Sequence, residues 1–503
     1  MKLNYKRTIL VGFAFFLISA FWQAYDAIVP MILNNHFGLN DTASGVIMSI
    51  DNVLAVFMLP LFGAFSDKVN TKYGKRTPFI FFGAITAVVV FICLTLVDGA
   101  QLSALTESGL TAKFDAAKAT FVATENRLSE LVAQGNADAI AELDAASKAF
   151  TAAKSALRAE ALELTLSNIF PLVGFVAVLL VVLIAMATFR SPAVALMPDV
   201  TVKPLRSKGN AIINLMGTAG GILVLGLGMV FSTSSDPYMH FGWYVVAVCC
   251  VMLVGLGIFL ATVKEKKWAE EMEEDTRRLG LDEPTAVTKD SDPSAPARAL
   301  SKAEMKSLLL ILASVALWYI GYNSITSKYS YYASTVLGFD YNFTLIIAQA
   351  AAVVAYIPVG IIASKIGRRK TILAGITLLA TAFFIGNFIN PTTPPAMMYP
   401  VFVLAGIGWA TINVNSFPMV VELAKGGEVG KYTGYYYTAS MAAQIVAPIL
   451  SGIFYDLIGI DKVFFAFGTI FVVFSFITMF FVKHGDARAE SKGALESLAG
   501  ADD

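Results

Sequence analysis

The chain has 503 residues, 56% of them hydrophobic and only 15% charged, whereas a soluble protein carries about 25% charged residues. Its 37 basic and 37 acidic side chains cancel, which excludes the net positive field that a nucleic-acid binder needs. Cys93, Cys249 and Cys250 all sit in apolar runs, so no disulfide framework is expected.

The apolar residues gather into runs close to the ~20 residues with which a helix crosses a bilayer. Taken in order, the candidate spans are Thr8–Leu33, Thr42–Phe65, Phe79–Val97, Asn168–Phe189, Asn210–Phe231, Trp243–Val263, Leu308–Lys328, Phe343–Ser364, Thr371–Phe388, Tyr399–Leu423, Thr433–Leu457 and Val463–Val482. The first lacks a small-residue cleavage site and reads as a retained helix. It carries Trp22, Gln23, Tyr25 and Asp26, with Gln23 and Asp26 on one face at i, i+3. Fixed polar groups beside aromatic rings suit a sugar, whose hydroxyls need partners and whose apolar face stacks on a ring. The alternative is an interfacial aromatic belt with a solvated carboxylate.

The second span holds Asp51 and Asn52 near its middle. So short a side chain cannot reach the bilayer surface, and an ionisable group at that depth is costly. Asp51 is therefore the expected proton carrier. Arg190 closes the apolar run of the fourth span. It either snorkels to the cytoplasm or pairs with Asp51 inside the bundle, an interaction that changes on protonation.

In the second half, Asn323 and Lys328 lie on the seventh span, Asn413 on the tenth and Gln444 on the eleventh. Lys328 is expected to snorkel outward. Asn323, Asn413 and Gln444, with Asn52, are expected to face the first-span cluster across a solute. Interhelical hydrogen bonding alone would also explain some of them.

Two segments do not look like membrane. Residues 98–167 are rich in Ala, Glu, Asp and Lys with helical spacing of Leu and Phe, and Gly135-Asn136 marks a turn. They read as an extracytoplasmic α-helical hairpin. The plain interpretation is a tolerated insertion, and the sharper one is gating or partner binding. Residues 264–305 form a charged, then Pro/Ser/Ala-rich linker. The expected domains are an N-terminal six-helix bundle (1–263), this linker, a C-terminal six-helix bundle (306–484) and a cytoplasmic tail (485–503). Lys and Arg concentrate before the first span and after the second, fourth, eighth and tenth, which places both termini in the cytoplasm.

The two halves repeat a motif. Gly63-Ala-Phe-Ser-Asp67-Lys68 and Gly74-Lys75-Arg76 follow the second span, and Gly360-Ile-Ile-Ala-Ser364-Lys365 and Gly367-Arg368-Arg369 follow the eighth. Arg190-Ser191-Pro192 and Asn415-Ser416-Phe417-Pro418 mark the inner ends of the fourth and tenth spans. Matching positions six helices apart suggest duplicated bundles with a site between them. Asp67, Lys75, Arg76, Arg368, Arg369 and Glu422 at inner helix ends are expected to form pairs that close one side and break on opening. Ordinary positive-inside topology accounts for part of this charge. Gly63 and Gly360 would allow close helix approach.

These motifs resemble the major facilitator superfamily. The N-terminal loop, with a six-residue spacer before Lys75-Arg76-Thr77-Pro78, and the segment Ser191 to Asp199 resemble the glycoside–pentoside–hexuronide:cation symporters and the sucrose-transporter branch. The resemblance covers the membrane part but not residues 98–167, and it implies cation-driven uptake of a glycoside. Melibiose-carrier-like members place acids where this chain has Ala55, Leu59 and Arg190. A guanidinium offers sodium no oxygen, and Asp51 lies one turn from Ala55 on the same stripe, so proton coupling is inferred.

No phosphate loop, HExxH motif or metal-ligand cluster is found, so neither an ATP-driven pump nor an enzyme is expected. The sequence thus predicts an all-α, twelve-helix inner- or plasma-membrane transporter, monomeric and without a cofactor beyond its coupling proton, moving a di- or oligosaccharide by alternating access. The rivals are a same-fold carrier of a non-sugar solute, an exporter, and a receptor or scaffold that uses the hairpin.

Overall fold

Inside a bilayer every backbone N–H and C=O must be satisfied within the protein, and a helix does this within one segment. The computed structural model describes residues 3–202, 205–278, 301–421, 423 and 429–484. Glu422, residues 279–300 of the linker and the tail 485–503 lie outside them.

The N-terminal half comprises α1 (Tyr5–Met31, continued by a π turn Ile32–His36), α2 (Asp41–Lys68), α3 (Thr77–Glu107), α6 (Phe170–Asp199), α7 (Arg206–Val230) and α8 (Gly242–Thr262). Between α3 and α6 stand α4 (Leu110–Ala133) and α5 (Ala137–Ser167). After α9 (Glu265–Arg278), the second half comprises α10 (Lys302–Thr326), the short α11 (Tyr329–Tyr331, continued by a π turn Tyr332–Leu337), α12 (Tyr341–Ile366), α13 (Arg368–Gly386), α14 (Met398–Val421), α15 (Val429–Ile458) and α16 (Ile460–Phe480). Among the described residues, eleven helices are long and apolar enough to cross a membrane, and Tyr341–Tyr356 is a shorter apolar stretch, which makes twelve.

The halves pack alike. α3 lies on α6 as α13 lies on α14, and α2 on α6 as α12 on α14. Between halves, α2 crosses α15 and α7 meets α12. We call the end of the bundle bearing α4 and α5 the hairpin end, and the end bearing α9 the linker end.

The sequence begins the non-membrane insertion at Asp98, but α3 continues unbroken to Glu107. Asp98 is fully buried, and its Oδ1 lies 2.6 Å from His36 Nδ1. Gln101 donates to the His36 carbonyl and to Thr165 Oγ1 at 3.0 and 2.9 Å. The base of the hairpin is thereby fixed to α1 and α3. Leu105, Leu110, Phe114, Leu157 and Tyr238 form a small apolar core around it. α4 passes to α5 through Gly135, at φ +74°, a left-handed turn that favours glycine.

At the hairpin end, α2 and α15 touch backbone to backbone. A Cβ on Gly45 would lie 2.1 Å from the Pro448 carbonyl oxygen, and one on Gly452 would lie 2.4 Å from that of Asp41. Ionic contacts across the halves surround this crossing. Lys328 donates to Asp41 Oδ1 at 2.6 Å and to the Asp41 carbonyl at 2.8 Å. Asp456 of α15 accepts from the main-chain N–H groups of Asp41 and Thr42, both at 2.8 Å. A carboxylate of one half thus caps the positive end of a helix of the other. Lys328 does not snorkel: it is fully buried, with Asp41 as its compensating charge.

At the linker end, α9 folds back on the N-terminal half. Arg7 lies 5.3 Å from the Trp268 ring centroid and 2.5 Å from Glu271. The buried Glu265 accepts from the main-chain N–H groups of Lys75, Arg76 and Thr77 at 2.6, 2.8 and 2.7 Å, and from Thr77 Oγ1 at 2.7 Å. It caps α3 from a distant point in the sequence. Removing it leaves several buried donors unpaired, so Glu265→Ala is expected to cost about 2–4 kcal/mol. Thermal unfolding in detergent should show a lower midpoint for this variant, with a smaller loss for Glu265→Gln.

Candidate functional site

Between the halves lies a cavity of about 570 Å³. α1 contributes Trp22, Gln23 and Asp26, α6 contributes Arg190, and α7 contributes Asn214. Tyr322 and Asn323 of α10, Gln349 and Tyr356 of α12 and Trp409 of α14 face them from the second half. Tyr322 stacks on Trp409 with centroids 6.0 Å apart and planes at 27°. Tyr356 meets the same indole at 6.3 Å and 64°. The second half therefore presents an aromatic wall, opposite Trp22. Gln349 donates to Gln23 Oε1 at 2.6 Å, closing the space with a neutral amide pair. Trp22 Nε1 and Asn214 Nδ2 are buried donors that meet no acceptor among the described residues, so both are available to a solute.

A smaller cavity of about 190 Å³ adjoins it. Asp51, Asn52 and Gln444 line it, with Trp22, Asp26, Arg190 and Asn323 shared between the two. Asp51 Oδ1 accepts from Asn52 Nδ2 at 2.7 Å. The guanidinium of Arg190 lies 5.7 Å from the Trp22 ring centroid, a cation–π contact, and is not within the 4.0 Å of a direct ion pair with Asp51 or Asp26. The expected contact pair of Asp51 and Arg190 is thus replaced by two charges facing each other across a cavity. Arg190 keeps an aromatic seat, and Asp51 keeps its neighbour's amide. Two carboxylates and one guanidinium share this space.

Of the residues singled out from the sequence, Trp22, Gln23, Asp26, Asp51, Asn52, Arg190, Asn323 and Gln444 converge here. Tyr25 and Asn413 do not line either cavity. Tyr25 points into the core, 6.1 Å from Phe21 between ring centroids, and Asn413 is buried within α14. The sequence reading passed over Asn214 and Gln349. Each is a lone amide in an apolar stretch, Ile212-Ile213-Asn214-Leu215 and Ile346-Ile347-Ala348-Gln349. That pattern in a membrane helix marks a polar cavity.

The loop motif assembles around Arg76. Its guanidinium donates to Asp199 at 2.7 Å, to Asp67 at 2.5 Å, to the Gly63 carbonyl at 3.4 Å, and to Ser66 Oγ. Burial works against the charge of Arg76, but the hydrogen bonds and attraction of Asp199 and Asp67 outweigh it, so its proton is held more firmly than in free arginine. A Cβ on Gly63 would come 2.9 Å from Ser191 Oγ, so glycine lets α2 approach α6. All these partners belong to the N-terminal half. Arg76 thus braces the N-terminal half internally, and the ionic contacts described above that join the halves sit at the hairpin end. In the second half, Arg369 donates to the Met479 carbonyl at 3.5 Å and lies 5.9 Å from the Phe480 ring centroid, tying α13 to α16. Gly360 lies on α12 and Arg368 opens α13.

A family model described as Major Facilitator Superfamily matches residues 157–355 and 341–499, and one described as MFS/sugar transport protein matches residues 10–109. The chain is 29% identical over 114 residues to the MFS-type transporter ppzB of Metarhizium rileyi, a match spanning 23% of each chain. The fold is similar to the inward-open xylose transporter XylE from E. coli, with a TM-score of 0.59 at 13% identity over 98% of this chain and 99% of that one. It is also similar to a POT family transporter in complex with 5-aminolevulinic acid, with a TM-score of 0.60 at 11% identity over 94% and 95% of the respective chains. With family models matched along most of its length and twelve apolar helices in two like-packed halves, the chain belongs to the Major Facilitator Superfamily and is a multi-pass membrane transporter rather than an enzyme.

Proposed function

We propose that this transporter carries a di- or oligosaccharide or other glycoside together with a proton, by alternating access, with the hairpin end outside the cell. The observation that carries this reading is the make-up of the central cavity: aromatic faces on both walls, amides from both halves, and two unpaired buried donors in Trp22 and Asn214. A sugar ring uses all three, stacking its C–H face and spreading its hydroxyls over donors and acceptors. Gln23 and Gln349 would part to admit it, each exchanging an amide partner for a hydroxyl.

The coupling follows from charge counting. Asp26, Asp51 and Arg190 together carry one uncompensated negative charge, and a single proton cancels it. A neutral cavity can close and reorient in the low-dielectric membrane, whereas a charged one is penalised. Asp51 is the proposed carrier, because it borders only the small cavity whereas Asp26 borders both, and Arg190 is its counter-charge. A second reading, a non-sugar solute, is favoured by Arg190 itself, which would hold a carboxylate of the solute.

In proteoliposomes with an imposed proton gradient, labelled disaccharide should accumulate, and sugar addition should alkalinise the outer medium. If no glycoside moves in either direction while a carboxylate-bearing solute does, the second reading replaces the first. Asp51→Asn should cut gradient-driven accumulation by about tenfold or more, since a group that cannot ionise cannot carry the proton, yet leave solute exchange at equal pH. Unchanged coupling would remove Asp51 from this role. Trp22→Ala should raise the half-saturating sugar concentration about 10–100-fold through lost stacking and a lost donor, as read from initial uptake rates.

A further inference from the structure

The hairpin differs in how it holds the two halves. Its apolar core joins α4 and α5 only to the N-terminal half, through Leu102, Leu105 and Tyr238. Gly38 packs directly on α5: a Cβ there would lie 2.5 Å from the Arg158 carbonyl oxygen. Toward the second half, α5 presents Lys154 and Arg158, the latter 5.7 Å from the Tyr331 ring centroid. A chamber of about 250 Å³, lined by Asp41, Lys154, Arg158, Tyr331, Thr335 and Asp456, lies between them. Two long cationic side chains cross it. Arg158 donates to the Leu39 carbonyl at 3.0 Å and reaches Tyr331 Oη at 3.2 Å and Asp41 Oδ2 at 3.5 Å. Lys154 donates to the Thr335 carbonyl.

We propose that α5 is a strap over the hairpin-end gate. It rides with the N-terminal half and grips the second half through Arg158 and Lys154, and it must release that grip each time the cavity opens at this end. Arg158 is then a gating residue supplied by the insertion, in contact with both Asp41 and Tyr331 and so with both sides of the gate. Polar contacts on flexible arms re-form after each cycle without the packing losses that separating an apolar interface brings. Lys154 fits a releasable contact. Burial pulls its ammonium down to about 8, so the closed state bears a cost that is full below about pH 8 and fades above it. The inference rests on alternating access alone and does not depend on which solute is carried.

The test uses the full chain in lipid nanodiscs, with Cys93, Cys249 and Cys250 replaced by alanine. Spin labels are placed through Trp243→Cys and Met397→Cys, exposed positions at the hairpin end of the first and second halves. Pulsed electron–electron resonance then reads the closed and open distances. Arg158→Ala should raise the open-to-closed ratio about tenfold or more, the loss expected for hydrogen bonds from a charged group. Tyr331→Phe, a milder change on the other side of the gate that guards against misfolding of the first variant, should raise it about threefold or more and add nothing in the Arg158→Ala background. Lys113→Ala breaks only the surface pair with Glu160 within the hairpin and should leave the ratio unchanged. An unaltered ratio in both gate variants would overturn the proposal, as would an equal rise in Lys113→Ala.

Discussion

Asp41 stands where the two halves meet, and its carboxylate is the charge on which the arrangement depends. It is held by Lys328 and Asn34 at 2.6 and 2.8 Å, while Asp456 from the second half takes the N–H groups of Asp41 and Thr42. Buried ion pairs are expensive to desolvate and become tolerable only when their remaining hydrogen-bonding capacity is filled. Here the Asp41 backbone carbonyl accepts a second bond from Lys328, and the Asn34 amide and the Arg158 guanidinium donate to the carboxylate. The pair ties the start of α2 to the junction of α10 and α11, while the Asp456 cap sets how α15 meets α2, and the glycines at 45 and 452 allow those two backbones to touch.

With that end closed, the cavities take their geometry from the helices that line them, among them α1, α2, α6 and α7 of the first half and α10, α12, α14 and α15 of the second. The first half brings most of the charge and the second half most of the aromatic surface. Asp26, Asp51 and Arg190 come from α1, α2 and α6, and Tyr322, Tyr356 and Trp409 from α10, α12 and α14. Charge thus lies on one side of the cavity and most of the aromatic surface on the other, with Gln23 and Gln349 meeting between them.

Much of this was legible in the residues. Long apolar runs marked the spans because hydrocarbon imposes both length and helicity, and buried acids stood out because the membrane penalises them. Asp51, Arg190 and the Trp22–Asp26 segment were found that way. What escaped was whatever depended on tertiary partners. Lys328 looked like a snorkelling residue because its neutralising acid is 287 positions away. Tyr25 shares its helix with the site but turns into the core, since helical spacing gives a face only relative to neighbours not yet placed. Glu265 looked like one more linker acid, although three consecutive N–H groups of a distant turn converge on it. Arg158 was one of many charges in an insertion whose contact with the gate no local pattern announces.

The π turns that end the first helix of each half, Ile32–His36 and Tyr332–Leu337, face one another, with Asn35 donating to Thr335 Oγ1 at 3.4 Å. A π turn accommodates one residue more than the α-helix around it. Two such turns at equivalent positions carry the likeness of the two halves down to a shared departure from α geometry. Among the described residues the hairpin has no counterpart in the second half, so it is where the likeness of the halves ends.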